Sequence, residues 1–240
     1  MHVEVAGSGP RLVLVHGSGG NSGWPAQRPL ADRYTLVMPT RSGYPPNPPL
    51  EHIDFEAQAD ELLELVEPGD HLFGHSYGGV IALLAAKSAD VRSLAVAEPP
   101  AFGVAPEHPA VAELVGELAP LWPPDLEPEP FLRAFIERIG AGPYSAPSPL
   151  TPEIELSVRA LMAERGPWEA EIPFAELAAA PFPKLVFSGA HSEAFDTVCD
   201  VLDQRLRAER AVLPGARHSI PRAPGFNERL EDFLRRAEPL

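Results

Sequence analysis

One short segment, residues 71–89, constrains the fold of this chain more than any other. It reads HLFGHSYGGVIALLAAKSA, an apolar strand pattern that passes through GHSYG into a run of small and apolar residues typical of a buried helix. Glycine at positions 74 and 78 removes side chains that would collide with the strand and the helix around Ser76. The segment therefore predicts a sharp strand-to-helix turn with Ser76 at its tip, the pattern of a nucleophile elbow.

Apolar runs and helical patterns alternate along much of the rest of the chain. Short runs rich in Val or Leu and bounded by Gly or Pro predict buried strands at residues 11–15, 34–38, 71–73, 91–97, 184–187 and 211–213. Helical patterns follow at residues 55–66, 77–89 and 195–207, and a terminal helix carries Phe226, Leu230, Phe233 and Leu234 on one face. This alternation predicts an α/β fold with a mostly parallel central sheet flanked by helices on both faces.

Residues 99–183 break this alternation. Prolines punctuate the region, and the helix-like stretches in it lie at residues 110–118, 130–139 and 152–165. A structureless loop of this length is improbable in a compact domain, and the region begins where a strand ends. We therefore predict a helical cap inserted over the carboxyl edge of the sheet, with residues 1–98 and 184–240 forming the core.

The net charge and the cysteine content indicate which binding partners and which cellular location to expect. The 240 residues carry 34 acidic and 19 basic side chains, and the formal charge of −15 repels nucleic acid and anionic membrane surfaces. No apolar run approaches the about 18 residues of a membrane span, and the N-terminus lacks the layout of a signal peptide. Cys199 is the single cysteine, so no disulfide can form within the chain. We expect a cytoplasmic protein that binds neither nucleic acid nor membrane; no residue pattern specifies its oligomeric state.

Further motifs stand in an order that fits a reactive serine at position 76. Residues 16–20, HGSGG, follow the first predicted strand, and His218 ends a G-x-x-H pattern just before the terminal helix. Together with Trp24, the PTRSGY segment at 39–44 and the elbow, they make nearly the whole chain resemble the α/β-hydrolase superfamily of the serine-nucleophile type. A neutral hydroxyl needs a base to act as a nucleophile, and the resemblance implies that His218 is the base for Ser76.

The resemblance also implies an oxyanion hole. Its donors would be two backbone amides, that of Ser18 after the HG pair and that of Tyr77 after the nucleophile. Removing one such donor typically costs about 10²–10³ in rate. The same chain order, with serine, acid and histidine in succession, predicts a catalytic triad.

The triad acid departs from the superfamily pattern. Most relatives carry an Asp in a G-x-x-D turn after the strand at 184–187, but here the turn reads GAHS and ends in Ser192. We prefer Glu98, because some superfamily members take their acid from the strand after the elbow helix and the two prolines that follow fix its exit direction. Asp196 at the start of the next predicted helix is the alternative acid, and Glu193 lies one place late in the turn.

Patterns for other chemistries are incomplete. The GSGGNS sequence at 17–22 lacks the third glycine of a dinucleotide fingerprint, and Pro25 interrupts the helix that should follow. The chain carries no Walker lysine, no H-E-x-x-H motif and no Cys/His array. We therefore expect neither a cofactor nor a metal.

The cap is rich in apolar and aromatic side chains that suit a pocket for a small hydrophobic acid or ester. They are Phe102, Leu121, Trp122, Phe131, Phe135, Tyr144 and Trp168. Taken singly, each is also typical of an ordinary cap core; we expect Phe102 and Trp122, with Trp24, to bind substrate. The expected reaction is hydrolysis of a small, hydrophobic carboxylic ester or related acyl substrate through an acyl-enzyme. Two alternatives stay open: another activity on this fold, such as a C–C hydrolase or a lyase, and a non-catalytic small-molecule receptor.

Overall fold

One seven-stranded sheet forms the centre of the computed structural model, which describes residues 1–20, 24–142 and 145–238. The strands are β1 (His2–Ala6), β2 (Arg11–Val15), β3 (Thr35–Thr40), β4 (His71–His75), β5 (Ser93–Ala97), β6 (Lys184–Ser188) and β7 (Glu209–Val212). Their order in the sheet is β1-β3-β2-β4-β5-β6-β7. All neighbours pair in parallel except β1, which runs antiparallel to β3. The predicted α/β fold with a mostly parallel sheet is therefore confirmed.

Eight α-helices accompany the sheet in the described residues. They are α1 (Phe55–Leu65), α2 (Tyr77–Ala86), α3 (Pro109–Leu118), α4 (Pro128–Arg138), α5 (Pro152–Met162), α6 (Phe174–Ala179), α7 (Glu193–Leu206) and α8 (Phe226–Ala237). A 3-10 helix at Pro25–Asp32 precedes β3. Not one of these described helices has the length and apolar character that crossing a bilayer requires.

Both faces of the sheet are covered because successive strand residues point to opposite sides. On β2, Val13 and Val15 join an apolar cluster with α1, α2 and α7, whereas Leu12 and Leu14 join a second cluster. That second cluster is closed by the predicted apolar face of α8, whose Phe226, Leu230, Phe233 and Leu234 are buried. The helices thus leave the strand ends, and not the strand faces, free to carry a site.

Four of the described helices, α3 to α6, lie between β5 and β6, where the sequence predicts an inserted cap. Within this insertion α4 packs against α3 and α5, and α3 also packs against α7 of the core. A single β-bridge joins Glu164, just after α5, to Ile53. The fold with inserted helices is as predicted; the division into a core of 1–98 and 184–240 and a cap of 99–183 stays a prediction.

Candidate active site

Ser76 lies at the sharp turn between β4 and α2. Its backbone angles are φ 53° and ψ −127°, a combination that costs energy for any residue with a side chain. The turn is crowded: a Cβ added to Gly74 would lie 2.8 Å from the Cβ of Ala82, and one added to Gly78 would lie 2.8 Å from the carbonyl carbon of His16. Glycine at both positions is therefore a steric requirement of the turn that presents Ser76.

Ser76, His218 and Glu98 form a continuous chain of close polar contacts. The Oγ of Ser76 lies 2.9 Å from Nε2 of His218, and Nδ1 of His218 lies 2.8 Å from Oε2 of Glu98. Since a carboxylate only accepts, Nδ1 carries the proton and Nε2 is free to accept one from Ser76. All three side chains are buried, with Glu98 at 0% exposure. This is the arrangement of a nucleophile, a base and an orienting acid.

Glu98 is held by the loop after β6 as well as by His218. It follows β5 with φ 41°, an unusual conformation for a residue other than glycine. Its Oε1 accepts a hydrogen bond of 2.7 Å from the amide of Gly189. Burial alone would raise the pKa of Glu98, but contacts with His191, His218 and this amide outweigh burial and lower it to about 2. Glu98 is therefore ionised at neutral pH and oriented from two sides.

The other two acid candidates lie elsewhere. Asp196, on α7, accepts a 2.6 Å hydrogen bond from the hydroxyl of Ser188 and lies 3.5 Å from the guanidinium of Arg210. Glu193 is the first residue of α7 and is exposed. Of the carboxylates in the described residues, Glu98 is the one that contacts the ring of His218. Asp196 is instead engaged with Ser188 and Arg210, and the choice of Glu98 over Asp196 as triad acid stays a prediction.

The two residues predicted to supply oxyanion-hole amides flank Ser76. Tyr77 is the first residue of α2, whose N-terminus carries a partial positive charge. Gly17 packs against the nucleophile so closely that an added Cβ would lie 2.8 Å from the Cβ of Ser76. Ser18 and Tyr77 line a cavity together with Ser76. The role of their amides stays a prediction.

A buried ion pair contacts the loop at residues 16–20, which we call the HG loop. Arg41 and Glu164, each with 2% side-chain exposure, approach to 2.5 Å. Arg41 also donates to the carbonyl oxygen of Gly17 at 3.0 Å, and Glu164 accepts from the hydroxyl of Ser18 at 2.5 Å. The pair therefore fixes the loop that carries Ser18 to both the core and the insertion.

Aromatic rings enclose this ion pair. The guanidinium carbon of Arg41 lies 4.7 Å from the ring centroid of Tyr44 and 4.8 Å from that of Tyr77. The Tyr44 hydroxyl donates to Oε1 of Glu164 at 2.7 Å. Burial would lower the pKa of Arg41, but Glu164 outweighs burial and raises it. Neither Arg41 nor Glu164 has a role that is predictable from the sequence, because they are 123 positions apart and share no local pattern.

Two histidines without an assigned role contact His218 or Glu98. His75 occupies the variable position of the elbow, and its Nε2 donates to the carbonyl of His218 at 2.8 Å. Burial and the neighbouring His218 lower the pKa of His75 to about 3, so it is neutral at pH 7. His191 places Nδ1 3.2 Å from Oε1 of Glu98. Neither contact leaves a sequence signal, since both depend on loops that meet only in the fold.

Within the described residues one group has the spacing to hold a metal ion. Glu98, His191 and His218 each offer an atom that lies within 4.8 Å of the other two. The 2.8 Å contact between His218 and Glu98 already places a proton where an ion would lie. Acid–base chemistry is therefore sufficient to explain this cluster.

Two cavities adjoin the site, and their walls share Ser18, Phe135, Ile139, Leu161 and His218; Ser76 lines the inner one. The outer cavity, of about 310 Å³, lies between the HG loop, Trp24 and α4. The inner cavity, of about 30 Å³, has an almost wholly apolar wall that includes Phe102, Trp122 and Trp168.

The cap aromatics divide between these cavities and the interior of the insertion. Phe102, Trp122, Phe135 and Trp168 line the inner cavity. Leu121 and Phe131 are buried and belong to neither wall. Tyr144 lies outside the described residues. Trp24 lines the outer cavity, whose wall shares Ser18 and His218 with the inner one. The role of Phe102, Trp122 and Trp24 in substrate binding stays a prediction.

Comparison with known families agrees with the geometry. A model of the alpha/beta hydrolase family matches residues 12–229. The chain belongs to the alpha/beta hydrolase family. A solved structure of an alpha/beta hydrolase from Sphaerobacter thermophilus covers 97% of this chain and 95% of its own, with a TM-score of 0.66 and 25% identity.

Two curated proteins that match parts of this chain are named as esterases. The pimeloyl-(acyl-carrier protein) methyl ester esterase of Methylococcus capsulatus is 35% identical over 91 residues, which are 37% of this chain and 36% of the relative. The enzyme of the same name from Aeromonas hydrophila subsp. hydrophila is 33% identical over 120 residues, 47% of each chain. The matches thus span less than half the length of either relative.

Proposed function

We propose that this hydrolase cleaves a small carboxylic ester by serine catalysis through an acyl-enzyme. The observation that carries the proposal is the buried chain from Ser76 through His218 to Glu98, with contacts of 2.9 and 2.8 Å. The names of the two curated relatives support an esterase.

In this mechanism the Oγ of Ser76 attacks the ester carbonyl while Nε2 of His218 takes the hydroxyl proton. The amides of Ser18 and Tyr77 bind the oxygen that becomes negative. Collapse of the tetrahedral intermediate expels the alcohol, which receives the proton from His218. A water molecule then repeats the sequence on the acyl-enzyme and releases the acid. Glu98 stabilises the imidazolium that forms in each half-reaction.

The different volumes of the two cavities support a substrate whose acyl and alcohol parts differ in size. The inner cavity, of about 30 Å³, has room for a group of one or two carbons, whereas the outer cavity, of about 310 Å³, admits a longer chain. By name, the two curated relatives act on a methyl ester. We therefore propose an ester of a short alcohol, with the alkoxy group in the inner cavity and the acyl chain in the outer one.

The nucleophile is tested with a fluorophosphonate probe and mass spectrometry. We expect one covalent adduct on Ser76 and none on a folded Ser76→Ala variant. An unlabelled wild-type protein with native circular dichroism would reject nucleophilic catalysis at this residue.

The substrate class is tested with two ester series. The first varies the alcohol from methyl to butyl with one fixed acid, and the second varies the acyl length with one fixed alcohol. We expect kcat/KM to fall steeply along the first series and to change less along the second, because the inner cavity is the smaller. An equal fall along both would contradict the assignment of the two cavities.

The alternative functions predict different results. A non-catalytic receptor is expected to lack a carboxylate within hydrogen-bond distance of His218. Glu98 lies 2.8 Å from that ring, and this contact favours an enzyme over a receptor. A C–C hydrolase or lyase would give the Ser76 adduct but little turnover in either ester series.

A further inference from the structure

His191 links the triad acid to the inserted helices. It lies in the loop between β6 and α7, and 9% of its side chain is exposed. One ring nitrogen, Nδ1, is 3.2 Å from Oε1 of Glu98, and the other, Nε2, is 3.2 Å from the carbonyl oxygen of Ile139. Ile139 is the C-cap residue of α4. One imidazole therefore bridges the acid in the core and the end of a helix that lines the outer cavity.

The chemistry of the two contacts selects one protonation state. Both partners are acceptors, and a neutral imidazole has a single N–H to donate. In either neutral tautomer one lone pair of His191 faces an oxygen lone pair. Nδ1 has no aligned hydrogen bond within the described residues, so its contact with Glu98 is one of charge. Only the imidazolium is attracted to both sides.

The groups around His191 also favour its protonated form. The carboxylates that stabilise its charged form are Glu98, at the end of β5, and Asp196, on α7. The ring stacks on Phe195 with centroids 5.6 Å apart, and the ring centroid of His218 is 6.1 Å away. Burial lowers the pKa of His191, but Glu98 and the Ile139 carbonyl outweigh burial and raise it above 6.5.

We propose that protonated His191 is a positioning residue that holds the end of α4 against Glu98 and keeps the outer cavity formed. The inference rests on the proposed function, since the cavity is assigned to the acyl chain of the ester. Leu132, Phe135 and Ile136 of α4 all line that cavity. Loss of the proton leaves one contact repulsive and loosens the wall, whereas Glu98 keeps its bonds to Gly189 and His218. The effect therefore falls on substrate binding more than on the chemical step.

The first test is the pH dependence of kcat and KM. As the pH rises through the titration of His191 we expect KM of the wild type to increase about three- to tenfold, the size of one modest hydrogen bond, with kcat nearly constant. In His191→Gln the amide cannot titrate, so KM should be raised at all pH values and flat. The control is His52→Gln, an exposed histidine outside both cavities, which should follow the wild type. Parallel profiles for the wild type and His191→Gln would overturn the proposal.

The second test does not depend on turnover. NMR titration of the eight histidines should include a ring with a pKa above 6.5 that is missing from the spectrum of His191→Gln. If that variant does not fold, sequence-specific assignment of the His191 ring in the wild-type spectrum decides, because a His191 ring with a pKa at or below 6.5 would overturn the proposal. Absence of an adduct on Ser76 would reject the proposed function. It would not reject the contact between His191 and Glu98, which the NMR titration tests independently.

Discussion

On one side of Ser76, Arg41 of the core pairs with Glu164 of the insertion; on the other side, His191 of the core faces the Ile139 carbonyl of the insertion. We call the first group, with Ser18 and Tyr44, the arginine cluster, and the second, Glu98, His191 and His218, the imidazole cluster. The charged side chains of both clusters are at most 9% exposed, and both clusters join the same two parts of the chain.

The clusters differ in the kind of charge they hold. A guanidinium stays protonated at every pH at which a protein is folded, whereas an imidazole changes charge near neutrality. The arginine cluster can therefore fix the HG loop permanently. The imidazole cluster can exchange protons with Ser76, and its links to the insertion depend on pH. The arginine cluster therefore has a structural role, whereas the imidazole cluster contains the groups that are proposed to carry out the reaction.

The largest expected effect comes from the imidazole cluster. We expect Glu98→Gln to lower kcat by about 10⁴-fold, as when an amide replaces a triad acid and the base loses its correct tautomer. The measurement is steady-state hydrolysis of the best ester in the panel. Asp196→Asn is the matched control, because Asp196 bonds Ser188 and Arg210 instead of His218, and it should keep activity within a few-fold. Loss of activity in Asp196→Asn with survival in Glu98→Gln would reverse the assignment.

The next effect concerns stability and the arginine cluster. Arg41→Met leaves the carboxylate of Glu164 buried and unpaired, and we expect the free energy of unfolding to fall by about 3–5 kcal/mol. Urea denaturation measures this change. Arg159→Met is the control, since Arg159 pairs with Glu155 on the surface with side-chain exposures of 53% and 41%, and its loss should stay within about 0.5 kcal/mol. Equal losses for the two variants would show that the buried pair is not a support.

The sheet was predictable from the sequence because its strands have local signals. The run at 11–15 has the bounds of β2, and the terminal helix buries the four residues expected. β1 was missed because it is an edge strand with mostly exposed side chains, so its short alternation of Val3 and Val5 with polar residues forms no continuous apolar run. The six-residue α6 was missed because so short a segment has no helical period to detect.

The site was only partly predictable, for a different reason. The elbow and the order of Ser76 and His218 are features of sequence, but the contacts that hold Glu98 are features of neighbouring strands. β5 and β6 pair in parallel, so Glu98 and Gly189 meet at one edge although they are 91 positions apart. The same holds for Arg41 and Glu164, whose pairing depends on where the insertion packs. Neither contact produces a local pattern that could be detected in the sequence.

A smaller effect is expected in acid. The pKa of Glu98 is lowered from 4.5 to about 2 in the folded chain, so its contribution to stability is complete above pH 4.5 and is lost as the pH falls toward 2. Over this window the free energy of unfolding of the wild type should decrease more than that of Glu98→Gln. Urea denaturation at pH 5, 4 and 3 measures the difference. Identical slopes for the two proteins would contradict a depressed pKa at Glu98.

The smallest effect links the arginine cluster to the chemistry. Ser18→Ala removes the hydroxyl that donates to Glu164 but keeps the backbone amide proposed for the oxyanion hole. We expect kcat to fall about three- to tenfold with little change in KM, because the loop is less firmly held while the amide remains. Ser42→Ala is the matched control: its hydroxyl donates to Glu61, outside both cavities, and its kcat should be unchanged. A kcat for Ser18→Ala equal to that of Ser42→Ala would confine the arginine cluster to stability, since its contact with the loop would then have no effect on the reaction.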